Sequence, residues 1–322
     1  MALSYIAAYL TDAAFRPEGS RRLRGSVSDL YLNLEQNANG VIAQKIGLLL
    51  AGDDARVGFL PRKTAKEYSM EEMGAWLRPV FKTGAIEIAL AGDFDMDQAI
   101  AQIARAFGAL PQRAPKPELT ERRKLSFPIP PQQKTYTYSS AAKNRPVTLA
   151  FYWPVHEPLA PADNPKLQLL AAILQDRLRV QIRVEKGETY SPVAEFNWSD
   201  VYPGYANLHC LIDAQSGQIK KMQTQVRELA LQFGAQGASA EELRRAKALA
   251  LADVHRFRQD NAYWMSAVLA DTQEHPWRLE VARNLEQAYD SVTTGEINAL
   301  AARFLTANNL FQFTIKPEYQ RP

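Results

Sequence analysis

Two stretches of this 322-residue chain repeat each other at a nearly constant spacing, and that repeat limits the fold more than any other feature of the sequence. The helix-forming stretch 18–50 matches 241–270. Arg21 and Arg22 fall on Arg244 and Arg245, Arg24 on Lys247 and Gln36 on Gln259 (245 − 22 = 223). Further on, Ser69 followed by Glu72 has the spacing of a capping box, and Thr293 followed by Glu296 repeats it (296 − 72 = 224). Each capped helix leads into an apolar, strand-like run, 86–90 in one copy and 310–315 in the other. Long helix, connection, capped helix and strand, twice in one order, predict a duplicated domain.

The second copy is preceded by further elements. Strands are expected at 134–139, 147–153, 189–197 and 205–212, with helices at 164–183 and 216–233. Ile219, Met222, Val226, Leu229 and Phe233 step by three and four, which gives the last helix one buried stripe. Run 147–153 is mostly apolar, as a central strand should be. The order predicts an α+β fold, duplicated mixed-sheet domains with helices on one face. The first copy lacks the equivalent strands. By the same offset it would begin about 90 residues before Met1 (135 − 223 = −88). We therefore divide the chain into the C-terminal portion of a truncated domain (1–112), a Pro- and charge-rich linker (113–133) and a complete domain (134–322).

Charge and cysteine content narrow the partners. A net charge of +3, with basic residues scattered among acidic ones, gives no footprint for nucleic acid or an anionic membrane. No apolar run approaches the roughly 18 residues of a membrane span. Residues 1–10 lack the basic start and long apolar centre of a signal peptide and read as amphipathic helix. The single cysteine, Cys210, sits between Leu208 and Ile212 and is expected to be a buried thiol; it leaves the compartment open.

The search for chemistry is mostly negative. His156, His209, His255 and His275 include no helical pair four apart, and His209 and Cys210 point to opposite faces of their strand. There is no Gly-x-Ser-x-Gly elbow and no phosphate-cradling glycine loop. One segment remains. A basic helix end carrying Arg183 runs through Glu185, Lys186 and Gly187 into an extended stretch at Tyr190. A guanidinium and a phenol one turn apart can hold a carbonyl oxygen between them. Equally, Arg183 can complement the helix C-terminal dipole while Tyr190 packs at a sheet edge.

The Arg183–Glu185–Lys186–Gly187–Tyr190 segment resembles the C-terminal half of the insulinase/pitrilysin family of zinc metallopeptidases. So does Gly92-Asp93-Phe94-Asp95, followed by helix 97–107 and Gly108-Ala109-Leu110-Pro111. The resemblance spans about 5–316. It implies a clam shell of two halves, each of two homologous α+β domains, with a His-x-x-Glu-His zinc motif and a distal glutamate in the catalytic half. It further implies that Arg183 and Tyr190 reach across to an extended peptide substrate. Here the zinc motif is missing, and Ser26, Ser28 and Leu30 stand where the distal glutamate is expected. The resemblance thus predicts no cofactor in this chain, zinc in a partner half on the same or another polypeptide, and no hydrolysis by this chain alone. It leans towards the periplasm over the cytoplasm. Self-association through the truncated domain is a further expectation, and an inert scaffold of the same fold is the alternative.

Overall fold

Residues Val147–Val155 form the middle strand of a five-stranded sheet, and all nine are buried, as their apolar sequence requires. The computed structural model describes residues 2–143, 145–157, 159–186 and 192–320, with backbone alone for Ala2 and 182–186. The strands are β1 (Gln132–Ser140), β2 (Val147–Val155), β3 (Val193–Trp198), β4 (Ala206–Ala214) and β5 (Phe311–Tyr319), in the spatial order β1-β5-β2-β4-β3. β1 runs parallel to β5 and every other pair is antiparallel, so the sheet is mixed.

The first helices in the chain are α1 (Ala2–Thr11), α2 (Gly19–Glu35), α3 (Ala38–Val41), α4 (Gly47–Leu50), α5 (Arg62–Glu67), α6 (Met70–Thr83) and α7 (Met96–Phe107). After β2 come α8 (Asn164–Lys186), α9 (Ile219–Gln236), α10 (Ala240–Phe257), α11 (Asn261–Tyr263), α12 (Trp277–Ser291) and α13 (Thr294–Phe304). One sheet face carries α8, α9 and α13, and α10 packs on α8. Leu170 and Leu174 of α8, Val226 and Phe233 of α9 and Ile297 and Phe304 of α13 join Leu149, Phe151 and Trp153 of β2 in one core. The stripe read from α9 is the buried one, with Ile219 packed at its margin. Each large apolar side chain fully buried here contributes about 1.5–3 kcal/mol. This is the expected α+β domain.

The opposite face takes residues from the first repeat. Val41, Ile46, Leu49 and Leu50 pack on Ala150, Tyr152, Phe311, Phe313 and Ile315. The long helix expected over 18–50 is broken to allow this. Asn37 leaves the helical region, and its Oδ1 accepts from the Gly40 backbone N–H at 2.9 Å, starting α3 afresh. Gly40 is required by the bend, because a Cβ there would lie 1.9 Å from the Leu34 carbonyl oxygen. A π-helical turn, Ile42–Ile46, follows. The second repeat breaks in the same way: Asp260 caps α11 and a π-helical turn, Trp264–Leu269, comes next (260 − 37 = 223). Both predicted capping boxes form, at Ser69–Glu72 and Thr293–Glu296. The duplication is therefore one of structure as well as sequence.

Two compact units cut across the repeat. One comprises 1–32, 60–119 and 260–279; the other comprises 33–59, 120–259 and 280–322. The copies thus exchange their broken-helix segments, 33–59 joining the sheet and 260–279 joining the first unit. The stretch read as a linker is held at both ends. Ala114 donates to the Thr83 carbonyl at 2.9 Å within the first unit. In the second, Arg56 reaches the Lys124 carbonyl at 2.7 Å and Phe127 stacks on Tyr205 at 4.3 Å.

The first unit is thinly packed. Among its described residues the buried large apolar side chains are Tyr31 and Val268, and neither α5 nor α7 buries any. Trp76 is 74% exposed, Met96 63% and Ile100 57%. The run 86–90, expected as a strand, is not one here: it pairs with no strand among the described residues. A strand is a property of a ladder, and this run is held instead by Glu87, whose Oε1 accepts from Thr272 Oγ1 and the Gln273 backbone N–H at 2.9 and 3.0 Å.

Candidate functional site

Helix α8 carries the predicted site, and its sequence explains its position: Leu167, Leu170, Ile173, Leu174 and Leu178 give it a fully buried face. The helix continues through Arg183 to Lys186. The backbone of Arg183 therefore falls in the last helical turn, where its sequence put it. Its side chain, with Gly187 and Tyr190, lies outside the described residues, so the structure does not bring the predicted pair together or separate it. The described structure resumes at residue 192 and continues as β3, Val193–Trp198; the expected strand start at Thr189 lies outside the described residues.

β3 is an edge strand, and α8 occupies its outer edge. The Ala194 backbone N–H donates to Gln175 Oε1 at 3.0 Å, and Gln168 Nε2 donates to the Phe196 carbonyl at 3.2 Å. Two backbone groups that an added strand would use are thereby satisfied by side chains. Sequence reasoning missed both glutamines. Their one available signal is the seven-residue spacing, which puts both on one side of α8.

Other arginines of the basic segment are already committed. Arg177 makes a forked pair with Glu242, Nε to Oε1 at 2.6 Å and Nη2 to Oε2 at 2.9 Å. It also donates to the Gly237 carbonyl and lies over the Phe233 ring. Arg179 pairs with Asp176 at 2.8 Å. The Arg177 guanidinium, helped by hydrogen bonds from Ser239 at the start of α10, holds the Glu242 carboxyl down to about 2. Because this lies below the ordinary value of 4.5, the stabilisation is complete above about pH 5 and is lost as pH falls towards 2. Its size is about 3 kcal/mol for a pair this enclosed. Urea unfolding of Glu242→Gln should therefore show a lower midpoint at pH 7 and a flatter loss of stability from pH 5 to 2; an unchanged acid limb would contradict this.

The remaining titratable groups in the core are structural. Cys210 lies in the helix-facing core, and burial pushes its thiol far above the ordinary range. His209 points the other way, stacked on Tyr152 at 5.4 Å, with Glu195 3.8 Å from its Nε2. Burial lowers the His209 imidazole and raises the Tyr152 hydroxyl, so both stay neutral. Among the described residues, no three His, Cys, Asp or Glu side chains gather where a metal ion could sit. No described helix is long and apolar enough to cross a membrane.

Comparison with known proteins places this architecture. The model of the peptidase M16 inactive domain family matches residues 69–250. No curated protein matches the sequence. Among solved structures, the chain is similar to a peptidase M16 inactive domain from Pseudomonas fluorescens, with 18% identity and a TM-score of 0.76, covering 100% of this chain and 76% of that one. It is similar to the periplasmic protease PqqL from Escherichia coli, with 16% identity and a TM-score of 0.70, covering 94% of this chain and 33% of that one. A predicted insulinase family protease from Yersinia pestis gives 14% identity and a TM-score of 0.67, with 100% and 70% covered. The present chain thus spans about a third of PqqL. At these identities the structures speak for the fold, while the family match extends over 182 of the 322 residues (250 − 69 + 1). The chain belongs to the peptidase M16 inactive domain family, the non-catalytic portion of insulinase-type peptidases.

Proposed function

We propose that this chain is the substrate-holding, zinc-free half of an insulinase-type metallopeptidase, completed by a half that carries the zinc. Residues 1–112 would be the C-terminal part of one domain, 113–133 the connection and 134–322 the complete second domain. The observation that carries this reading is the match of 69–250 to the inactive domain. The altered helix supports it: Ser28 Oγ donates to the Arg24 carbonyl at 2.7 Å, and Leu30 is exposed where a distal glutamate would be needed. Arg183 and Tyr190 would hold the carbonyl of an extended peptide and stabilise charge developing on its oxygen. The zinc-bearing half would supply the metal and its water.

The exposed apolar side chains of α6 and α7 support a further contact, self-association through the first unit. With zinc added, the chain alone should leave an unstructured peptide intact by mass spectrometry and should sediment as a concentration-dependent dimer. Cleavage would sink the zinc-free reading; a monomer at all concentrations would sink the self-association. The scaffold reading draws on a specific observation as well, the engagement of Arg177, Arg179 and the β3 edge in internal contacts. It predicts that Arg183 and Tyr190 matter to stability alone.

A further inference from the structure

The two edges of the sheet differ. Edge strand β3 is six residues long, and Gln168 and Gln175 close it. Edge strand β1 is nine residues long, without proline or bulge, and runs in unbroken register along β5. Parallel pairing uses alternate residues of a strand. The Gln132 backbone N–H donates to the Leu310 carbonyl, and the Ser140 carbonyl accepts from the Gln320 N–H, so the even-numbered residues of β1 bond to β5. The backbone groups of Gln133, Thr135, Thr137 and Ser139 therefore point out of the sheet. Among the described residues nothing is bonded to them there, and the first three are exposed. Such an edge is a template for another strand, and proteins that keep theirs single shorten it, cover it or load it with charge. Lys134 is the one charged residue on β1.

We propose that β1 pairs antiparallel with β1 of a second copy of this chain, about a twofold axis at Tyr136, joining two five-stranded sheets into one. The residue order of β1 is self-complementary in that register. Gln133 pairs with Ser139, and Thr135 with Thr137, so all four outward positions of each copy are used. A shift of two residues in either direction leaves Gln133 or Ser139 of each copy without a partner. Tyr136 meets its own counterpart, and Lys134 falls opposite Tyr138 instead of opposite a second lysine. Arg145 and Asp213 both flank Tyr138, so the lysine meets no net charge. Aromatic and threonine pairs are favourable cross-strand neighbours, whereas like charges directly opposite are not. Tyr136 and Tyr138 pack on the face that takes 41–50, which puts Thr135 and Thr137 on the helix face. Both threonines are exposed, so no helix of this chain covers the junction. The contact uses β1 alone and depends neither on the α6 and α7 surface nor on the peptidase reading.

Sedimentation velocity tests this on the full chain carrying Trp76→Lys, which puts a charge on the exposed surface of α6 and leaves β1 unchanged. That parent should dimerise with Kd on the order of 100 μM or tighter, as a small interface does. Thr137→Pro deletes an outward N–H without touching the β1–β5 ladder and should weaken the dimer about tenfold or more. Because a proline can also disturb its own strand, a charge exchange gives a second reading. Thr135→Lys with Thr137→Lys sets like charges opposite each other at both Thr135–Thr137 sites and should weaken the dimer about tenfold or more. Thr135→Lys with Thr137→Glu sets opposite charges at the same sites and should match the parent or bind more tightly. Equal Kd values for these two double variants would overturn the proposal. So would a Trp76→Lys parent that stays monomeric at about 1 mM, which beside a dimeric native chain would assign association to α6 instead.

Discussion

In a peptidase reconstituted from this chain and its zinc-bearing half, Arg183→Ala should lower kcat by about 10²–10³-fold, with zinc content unchanged. This is the cost of removing one preorganised donor from an oxygen on which charge develops, about 2.7–4 kcal/mol. Tyr190→Phe, which deletes a single hydroxyl and keeps the ring, should lower kcat in the same way with little effect on folding. The competing account gives a different size and a different readout. A cation that merely complements a helix C-terminus contributes about 0.3–1 kcal/mol, visible in stability and absent from kinetics. Peptide hydrolysis rates measured beside urea unfolding midpoints separate the two. Full activity with slightly lower stability would return Arg183 to a structural role and favour the scaffold.

Ile46→Ala should destabilise the sheet-bearing unit by about 2–5 kcal/mol. Ile46 is fully buried, in the π-helical turn that brings first-repeat residues onto β2 and β5 of the second. Deleting its outer atoms leaves a cavity in the cluster it shares with Phe313 and Ile315, and the surrounding core relaxes only in part. Hydrogen exchange should show the loss in the amides of β2 and β5. Were 33–59 a loose connection, the same substitution would cost under about 0.5 kcal/mol, as changes on an uninvolved surface do. This measurement therefore tests the exchange of segments between the repeats.

What could be read from the sequence follows from which forces are local. The α9 stripe, the all-apolar β2 and the two capping boxes depend on spacing within one element, and all were legible. The opposed faces of His209 and Cys210 were legible too, since alternation along a strand is geometry. The break at Asn37 was not. Apolar residues continue through Val41, Ile46 and Leu50, so periodicity carries on while a side-chain cap and a glycine at Gly40 turn the chain. The exchange of 33–59 for 260–279 was hidden for a deeper reason: nothing in a segment says which sheet it will pack on. Run 86–90 has strand composition, but composition supplies no ladder partner. Of the proposed site, the backbone of Arg183 lies in the last turn of α8, and its side chain and Tyr190 fall outside the described residues. Gln168 and Gln175 were not legible, because an amide on a helix face carries no mark of the edge it will cover.

The measurement that tests the central claim most directly is the rate of hydrolysis of an unstructured peptide by the zinc-bearing half, with and without this chain. A substrate-holding half should raise kcat/KM by about 10²-fold or more, as expected when positioning and oxyanion stabilisation are supplied together. The gain should vanish when Arg183→Ala or Tyr190→Phe replaces the native chain. An unchanged rate on adding the native chain, or an equal gain with either variant, would contradict the account.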